Sequence, residues 1–187
     1  MDNQQEQEFQ TLLDAMNRAG GALNEAGVPF VLGGGLAAWA RGGPKTEHDV
    51  DFLVKPHDAE RAWQALAEAG LRTERPPEGW LLKAYDDDVL IDVIFDPQDG
   101  PIDDGIFDRA EDLEVQAMRM KVASLEDVLV QKLLALSEQE PDYSSVLELA
   151  RSLREQVNWD EVRERTNESP FARGYFTLLE ELEILPA

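Results

Sequence analysis

Three aspartates carry the chemistry this sequence can do. Asp49 and Asp51 stand in the run His48-Asp-Val-Asp-Phe-Leu-Val. On a strand, alternate side chains share a face, so the two carboxylates project together, about 6.5–7 Å apart along the chain, while Val50 and Phe52 face the core. Two like charges at the mouth of a buried strand repel, and a divalent cation between them relieves the repulsion. A solvated strand entrance is the plain alternative. Asp92 is the one polar residue in Val89-Leu90-Ile91-Asp92-Val93-Ile94-Phe95. A strand this apolar is expected to be covered on both faces. A carboxylate there must be paired, protonated or metal-bound. Pairing with one arginine is the bland solution. Convergence with Asp49 and Asp51 is the sharp one, because three carboxylates at one point suit two-metal phosphoryl or nucleotidyl transfer.

Val31-Leu32-Gly33-Gly34-Gly35 precedes the Asp-x-Asp run by one short helix. Missing side chains at Gly33 and Gly34 let backbone N–H groups approach a phosphate. A tight strand-to-helix turn explains the glycines equally. Further on, Leu125, Val128, Leu129 and Leu136 form one helical face at 100° per residue, with Lys132 in its middle and Gln131 outside it. A lysine so placed meets an acid or snorkels to water.

The rest of the composition narrows the choice of chemistry. The chain has 187 residues, 17 Lys plus Arg against 39 Asp plus Glu, and a net charge of −22. Binding to bulk DNA or RNA rests on neutralising phosphates with cations, so the charge argues against it, and against an anionic membrane surface. Cysteine is absent and there are two histidines, His48 and His57, so a metal must be held mainly by carboxylates, as magnesium, manganese or calcium are. The weakly polar stretch Val28 to Ala40 is too short to span a bilayer, and Met1 to Gln10 has no basic region of a signal peptide. A cytoplasmic setting is the expectation.

The elements that must position these residues follow from periodicity and turn chemistry. Residues 7–26 read as a helix closed by Gly27, 28–32 as a strand, 36–41 as a short helix and 50–54 as the next strand. Asp58 is placed to cap a helix ending at Gly70. Residues 80–85 and 89–95 form a hairpin across Asp86-Asp87-Asp88, 96–112 read as a loop, and 115–122 as strand. Ser124 caps a helix, and helices follow at 142–156, 159–166 and 170–183. The expected fold is α/β (α+β): a mixed β-sheet core flanked by helices over 1–122, then a C-terminal helical region over 123–187. Arg41, Lys45 and Lys55 flank the acidic run and read as surface charges or phosphate-steering groups. His48 reads as a loop residue. Trp39, Trp63, Trp80 and Trp159 read as core or groove-lining.

The hydrophobic strand, the glycine pair, the short helix, the Asp-x-Asp and the later third Asp together resemble the polymerase-β-like nucleotidyltransferase superfamily. Gly42 to Val54, with Ser124-Leu-Glu-Asp, Lys132-Leu-Leu-Ala-Leu and Pro141-Asp-Tyr in the tail, is similar to its small bacterial AbiEii-type toxin branch. The resemblance implies transfer of a nucleoside monophosphate from an NTP to an acceptor hydroxyl on an RNA end, a protein or a small molecule. It implies Mg2+ or Mn2+ held by Asp49, Asp51 and Asp92, and nucleotide contacts at Gly33, Gly34 and Lys132. It also implies a toxin–antitoxin or phage-defence setting with a cognate antitoxin or partner protein. Asp142 resembles a tail acid of the family; an N-cap role explains it as well. The second reading is a catalytically inactive nucleotide-binding or protein-binding regulator of the same fold.

Overall fold

The computed structural model describes residues 3–46, 49–98 and 100–186; His48 lies outside them. Helix α1 (Asn3–Glu25) turns Phe9, Leu12, Leu13, Met16, Ala19 and Leu23 onto one buried stripe. Gly27, at φ +64°, ends it: its amide donates to Asn24 and that of Val28 to Leu23, the two bonds of a Schellman cap. Strand β1 is only Val31–Leu32, followed directly by α2 (Gly34–Ala40) and β2 (Asp49–Leu53). Helix α3 (Ala59–Glu68) closes on Gly70 with the same pair of cap bonds. Asp58 does not cap α3 with its side chain. It is buried and paired with Arg61 at 2.6 Å and His57 at 3.3 Å.

Strands β3 (Arg72–Glu74), β4 (Leu81–Asp86) and β5 (Val89–Ile94) come next. The stretch 96–112, read from sequence as a loop, contains helix α4 (Asp104–Arg109), capped by the Asp103 carboxylate, and the start of β6 (Glu111–Val115). The single strand expected over 115–122 is the end of β6, a two-residue turn at Gln116-Ala117 and β7 (Met118–Val122). Both turn residues have positive φ, 50° and 62°, without the glycine or asparagine that advertises such a turn. The tail is α5 (Leu125–Ala135), α6 (Ser144–Leu153) running into a 3-10 turn at Arg154–Gln156, α7 (Trp159–Arg165) and α8 (Pro170–Glu181). Ser124, Asn158 and Ser169 cap α5, α7 and α8 with their side chains.

The seven strands form one mixed sheet in the order β3-β4-β5-β2-β1-β7-β6. Strand β2 runs parallel to β5 and antiparallel to β1, and β1 runs parallel to β7. Helices α1 and α3 pack against β2, β4 and β5, over Val50, Phe52, Ala84, Ile91 and Val93, all of them buried. The opposite face of β5 is less covered than the apolar sequence predicts: Leu90 and Ile94 are half-buried there, because that face opens into a cleft. Helix α5 packs on α2, α6, α7 and α8, so the tail forms the far wall of that cleft.

Arg41 joins the two parts. It is neither steering group nor loose surface charge. Its guanidinium donates to the carbonyls of Ala123 at 2.7 Å and Val122 at 3.0 Å, tying the end of α2 to the start of the tail. Lys55 pairs with Asp104 over the Phe107 ring, and Lys45 pairs with Glu6 at 2.5 Å beside Phe9. Among the described residues no helix is long and apolar enough to cross a membrane.

Candidate active site

Register explains the convergence of the acids. Asp51 on β2 stands opposite Asp92 on β5, and Asp92 stands opposite Lys83 on β4. Residues opposite one another point to the same face, and Asp49, two positions before Asp51, joins them. One carboxylate oxygen from each of Asp49, Asp51 and Asp92 comes within 4.8 Å of the others.

The electrostatics of this cluster are unfavourable for three bare charges. Burial, then the carboxylates of Asp49 and Asp92, push Asp51 up to about 8, with Lys132 pulling the other way. Burial also pushes Asp92 up to about 6, against the Lys83 ammonium. That ammonium stands 3.8 Å from Asp92 Oδ1, a long ion pair and not a hydrogen bond. Asp92 Oδ1 is thus a buried oxygen with no hydrogen-bond partner among the described residues. Hard oxygen donors, mutual repulsion and one orphaned lone pair fit a divalent cation.

The glycine turn is shaped around the same cluster. Gly34 has φ +55°, and a Cβ on it would collide with the Asp51 carboxylate. The Gly33 amide donates to the Asp51 carbonyl at 2.8 Å, so it belongs to the sheet. Among the described residues the amides of Gly34, Gly35 and Leu36 make no hydrogen bond to the chain. Gly34→Ala is therefore expected to push Asp51 aside. Displacements of about 1 Å near a reacting centre can cost about a hundredfold in rate, so transfer falls by at least about tenfold in a turnover assay.

Lys132 projects from α5 into the cleft and lines two cavities, one of which also holds Gly34 and Asp51. Gln131, expected outside the working face of α5, lines that same cavity, its amide nitrogen buried and without a hydrogen-bond partner among the described residues. The reading assumed a single buried face, but α5 is covered on most sides: Leu125, Asp127, Val128, Leu129, Val130 and Leu133 are all buried, because α2, α6, α7 and α8 pack around it. Of the four tryptophans, Trp39 packs on Phe9 and Trp159 on Phe176, while Trp63 donates to the Lys83 carbonyl. Trp80 is 37% exposed at the cleft. Asp142 accepts the Ser144 amide at 2.8 Å, a helix-entry role.

A third buried aspartate has a different office. Asp127 on α5 accepts from Arg109 Nε and Nη2, from Arg165 Nη2 and from Ser124 Oγ. Burial alone would raise its pKa, but these donors hold it below the usual carboxylate range. It locks α4, α5 and α7 together.

Residues 12–173 match the model of the family described as "Nucleotidyl transferase of unknown function (DUF2204)". The chain belongs to that nucleotidyltransferase family. This nucleotidyltransferase has no match among the curated proteins. Among solved structures it is similar to ANT(2'')-Ia in complex with adenylyl-2''-tobramycin, with TM-score 0.65 and 14% identity over 88% of this chain and 99% of that one. The solution structure of the same antibiotic-resistance factor gives TM-score 0.66 and 14% identity over 93% and 97%. The Thermotoga maritima protein TM1012 gives TM-score 0.50 and 19% identity over 83% and 92%. At these identities the likeness is one of fold, and it matches the mixed sheet flanked by helices. The family makes the chain a transferase that uses an NTP.

Proposed function

We propose that this nucleotidyltransferase is metal-dependent and moves a nucleoside monophosphate from an NTP to an acceptor hydroxyl, with Asp49, Asp51 and Asp92 as its centre. The observation that carries the reading is the triad: Asp49, Asp51 and Asp92 each bring a carboxylate oxygen within 4.8 Å of the others, and Asp92 Oδ1 is buried with no hydrogen-bond partner among the described residues. Asp49, Asp51 and Asp92 would hold Mg2+ or Mn2+, which supplies charge neutralisation at the triphosphate and acidifies a bound hydroxyl. The chain's own groups do the rest. Gly34 leaves room for phosphate beside Asp51, Gly33 fixes the turn through its sheet bond, and Lys132 places an ammonium over the same cleft. Asp92, whose Oδ1 has no hydrogen-bond partner among the described residues, takes the proton of the attacking hydroxyl. The Lys83 ammonium, 3.8 Å away, leaves that oxygen free for the task.

In this reading residues 1–122 carry the metal-binding strands and 123–187 supply the wall that closes over the nucleotide. A small-molecule acceptor is favoured by the likeness to ANT(2'')-Ia, whose complex contains adenylyl-2''-tobramycin. The AbiEii-type resemblance of residues 42–54 would add a toxin–antitoxin or phage-defence setting.

Calorimetry with each NTP tests the proposal. Binding is expected in magnesium or manganese and lost in EDTA; equal affinity in both would sink the metal-bridged site. Asp92→Asn is expected to fold, to melt no lower than wild type in EDTA, and to lose transfer. Its sign follows from the raised pKa, because the fold disfavours the ionised carboxylate that asparagine removes. A clearly lower melting temperature in EDTA would make Asp92 a structural partner of Lys83 instead.

A further inference from the structure

Lys83 takes no part in the transfer described above, yet it stands in line with the acids. It lies opposite Asp92 across the β4–β5 pair, and Asp92 lies opposite Asp51 across β5–β2. One row of side chains therefore runs Lys83, Asp92, Asp51 on one face of the sheet. On its outer side Lys83 stands opposite Glu74 of β3. Glu74 is engaged elsewhere, accepting from the Tyr85 hydroxyl at 3.4 Å and facing the Arg72 guanidinium at 3.8 Å. Among the described residues the one ion pair of Lys83 is with Asp92, Nζ to Oδ1 at 3.8 Å. The two side chains are 25% and 12% exposed, so water screens the pair only in part.

That spacing is unlike a structural fastening. Charge-assisted bonds close to about 2.7–2.9 Å. Asp127 shows the closed form, with Arg109 at 2.8 Å and Arg165 at 2.6 Å. Lys83 stops short of Asp92 and leaves Oδ1 without a hydrogen bond among the described residues. Its charge reaches the triad, while its N–H groups do not.

We propose that Lys83 is a positioning residue of the triad, a built-in counter-ion that steadies Asp92 before metal binds and opposes the metal afterwards. Free divalent cation is then held weakly, and cation accompanied by nucleotide is held well. This rests on the metal-dependent reading above and adds what regulates metal loading at that site.

The balance of charge carries the argument. Lys83 acts on Asp92, and Lys132 of α5 acts on Asp51, so two ammonium groups face three carboxylates. Glu78 adds only a weaker negative field at Asp92. A bare divalent cation overfills such a site with positive charge. The phosphates of an NTP bring the negative charge that restores the balance. With a neutral side chain at position 83, the triad would face Lys132 alone and suit a free cation. Loss of the ammonium also favours a proton on Asp92, but a divalent cation feels the lost repulsion twice as strongly as a proton does. The two roles open to Lys83 thus have opposite signs. A lysine that only aimed Asp92 would, when removed, loosen a ligand and weaken metal binding. A counter-ion, when removed, lets the metal bind more tightly.

Titration of the protein with Mn2+ at pH 8 without nucleotide, with free Mn2+ counted by its electron paramagnetic resonance signal, reads that sign. Lys83→Met is expected to tighten Mn2+ binding by about tenfold, within the usual range of coupling between neighbouring sites. Lys83→Gln, a second neutral variant should the first fold poorly, moves the same way. Lys83→Arg keeps the charge and is expected to stay within about twofold of wild type. In EDTA the neutral variants are expected to melt below wild type, because Asp92 has lost its cation, and to gain more from magnesium. Mn2+ binding that weakens or does not change in both neutral variants would overturn the counter-ion role, and so would an arginine variant that behaves like them. Absence of Mn2+ binding to wild type and variants alike, even with ATP present, would instead overturn the metal-dependent reading itself.

Discussion

Asp51→Asn is expected to abolish magnesium-dependent NTP binding and to lower nucleotidyl transfer by about a thousandfold or more, the several kcal/mol that a metal clamp supplies. It is expected at the same time to make the metal-free protein more stable. The Asp51 carboxyl, ordinarily near 3.8, is held up to about 8 by burial and by its two neighbours. Between those values the folded protein keeps a proton that the unfolded chain has released. Metal-free stability therefore falls as pH rises from about 4 to about 8. Asparagine has no such proton, so the mutant's advantage in EDTA grows across that window. Magnesium reverses the order. A cation that binds only the folded carboxylates contributes about 2.7 kcal/mol at a hundredfold excess over its Kd. For a chain of this size that raises Tm by about 5–11 °C. Thermal melts at pH 5 and pH 8, with and without magnesium, check both signs. A mutant that melts below wild type in EDTA at pH 8 would show that the Asp51 carboxylate is held by donors, not strained by neighbours.

The second large effect is expected at the buried Asp127 of α5. Asp127→Ala leaves Arg109 and Arg165 facing one another without their shared carboxylate, and strips Ser124 of its acceptor. Breaking a buried ion pair by removing one partner costs about 3–5 kcal/mol. At about 2–4 °C per kcal/mol the melting temperature drops by about 6–20 °C. The pH dependence has the opposite sign to that of Asp51. Asp127's pKa is depressed in the fold, so its stabilisation is present above the unfolded carboxylate value and is lost as pH falls through the folded one. Wild type should lose stability in acid more steeply than Asp127→Ala. A mutant melting within a degree or two of wild type would make the network ornamental.

The contrast between these aspartates shows what a sequence displays. Asp49, Asp51 and Asp92 are legible because strands alternate, and because Asp92 interrupts a run with no other polar residue. Their meeting follows once β2 and β5 are neighbours in the sheet. Asp127 looks like any acid in the first turn of a helix, where the macrodipole favours it. Its burial depends on Arg109 and Arg165, 18 and 38 residues away, and no local pattern joins them. The same limit hides β3, whose Arg-Thr-Glu has no apolar face and forms only because β4 offers an edge. It hides β6 too, where Glu111, Asp112 and Glu114 stand outside the core and only Val115 is buried. The cap expected at Ser124 forms, through a bond three residues long, while Asp58, expected to cap α3, gives its carboxylate to Arg61 instead.

Strand β1 has a consequence for the order in which this protein can be made. It is two residues long, and its outer neighbour is β7, paired Val31 with Lys121 and Leu32 with Val122. The Ala123 amide then adds a bond to the Leu32 carbonyl. So short a strand cannot hold its place with half its hydrogen bonds made. The glycine turn that follows it is therefore not fixed until the chain beyond residue 123 has left the ribosome. An emerging chain carries the three acids and the glycines early, yet long-range closure must come before they form a cleft. Nascent fragments that stop before β7 should bind no nucleotide, and synthesis itself keeps the transferase silent until its tail can follow.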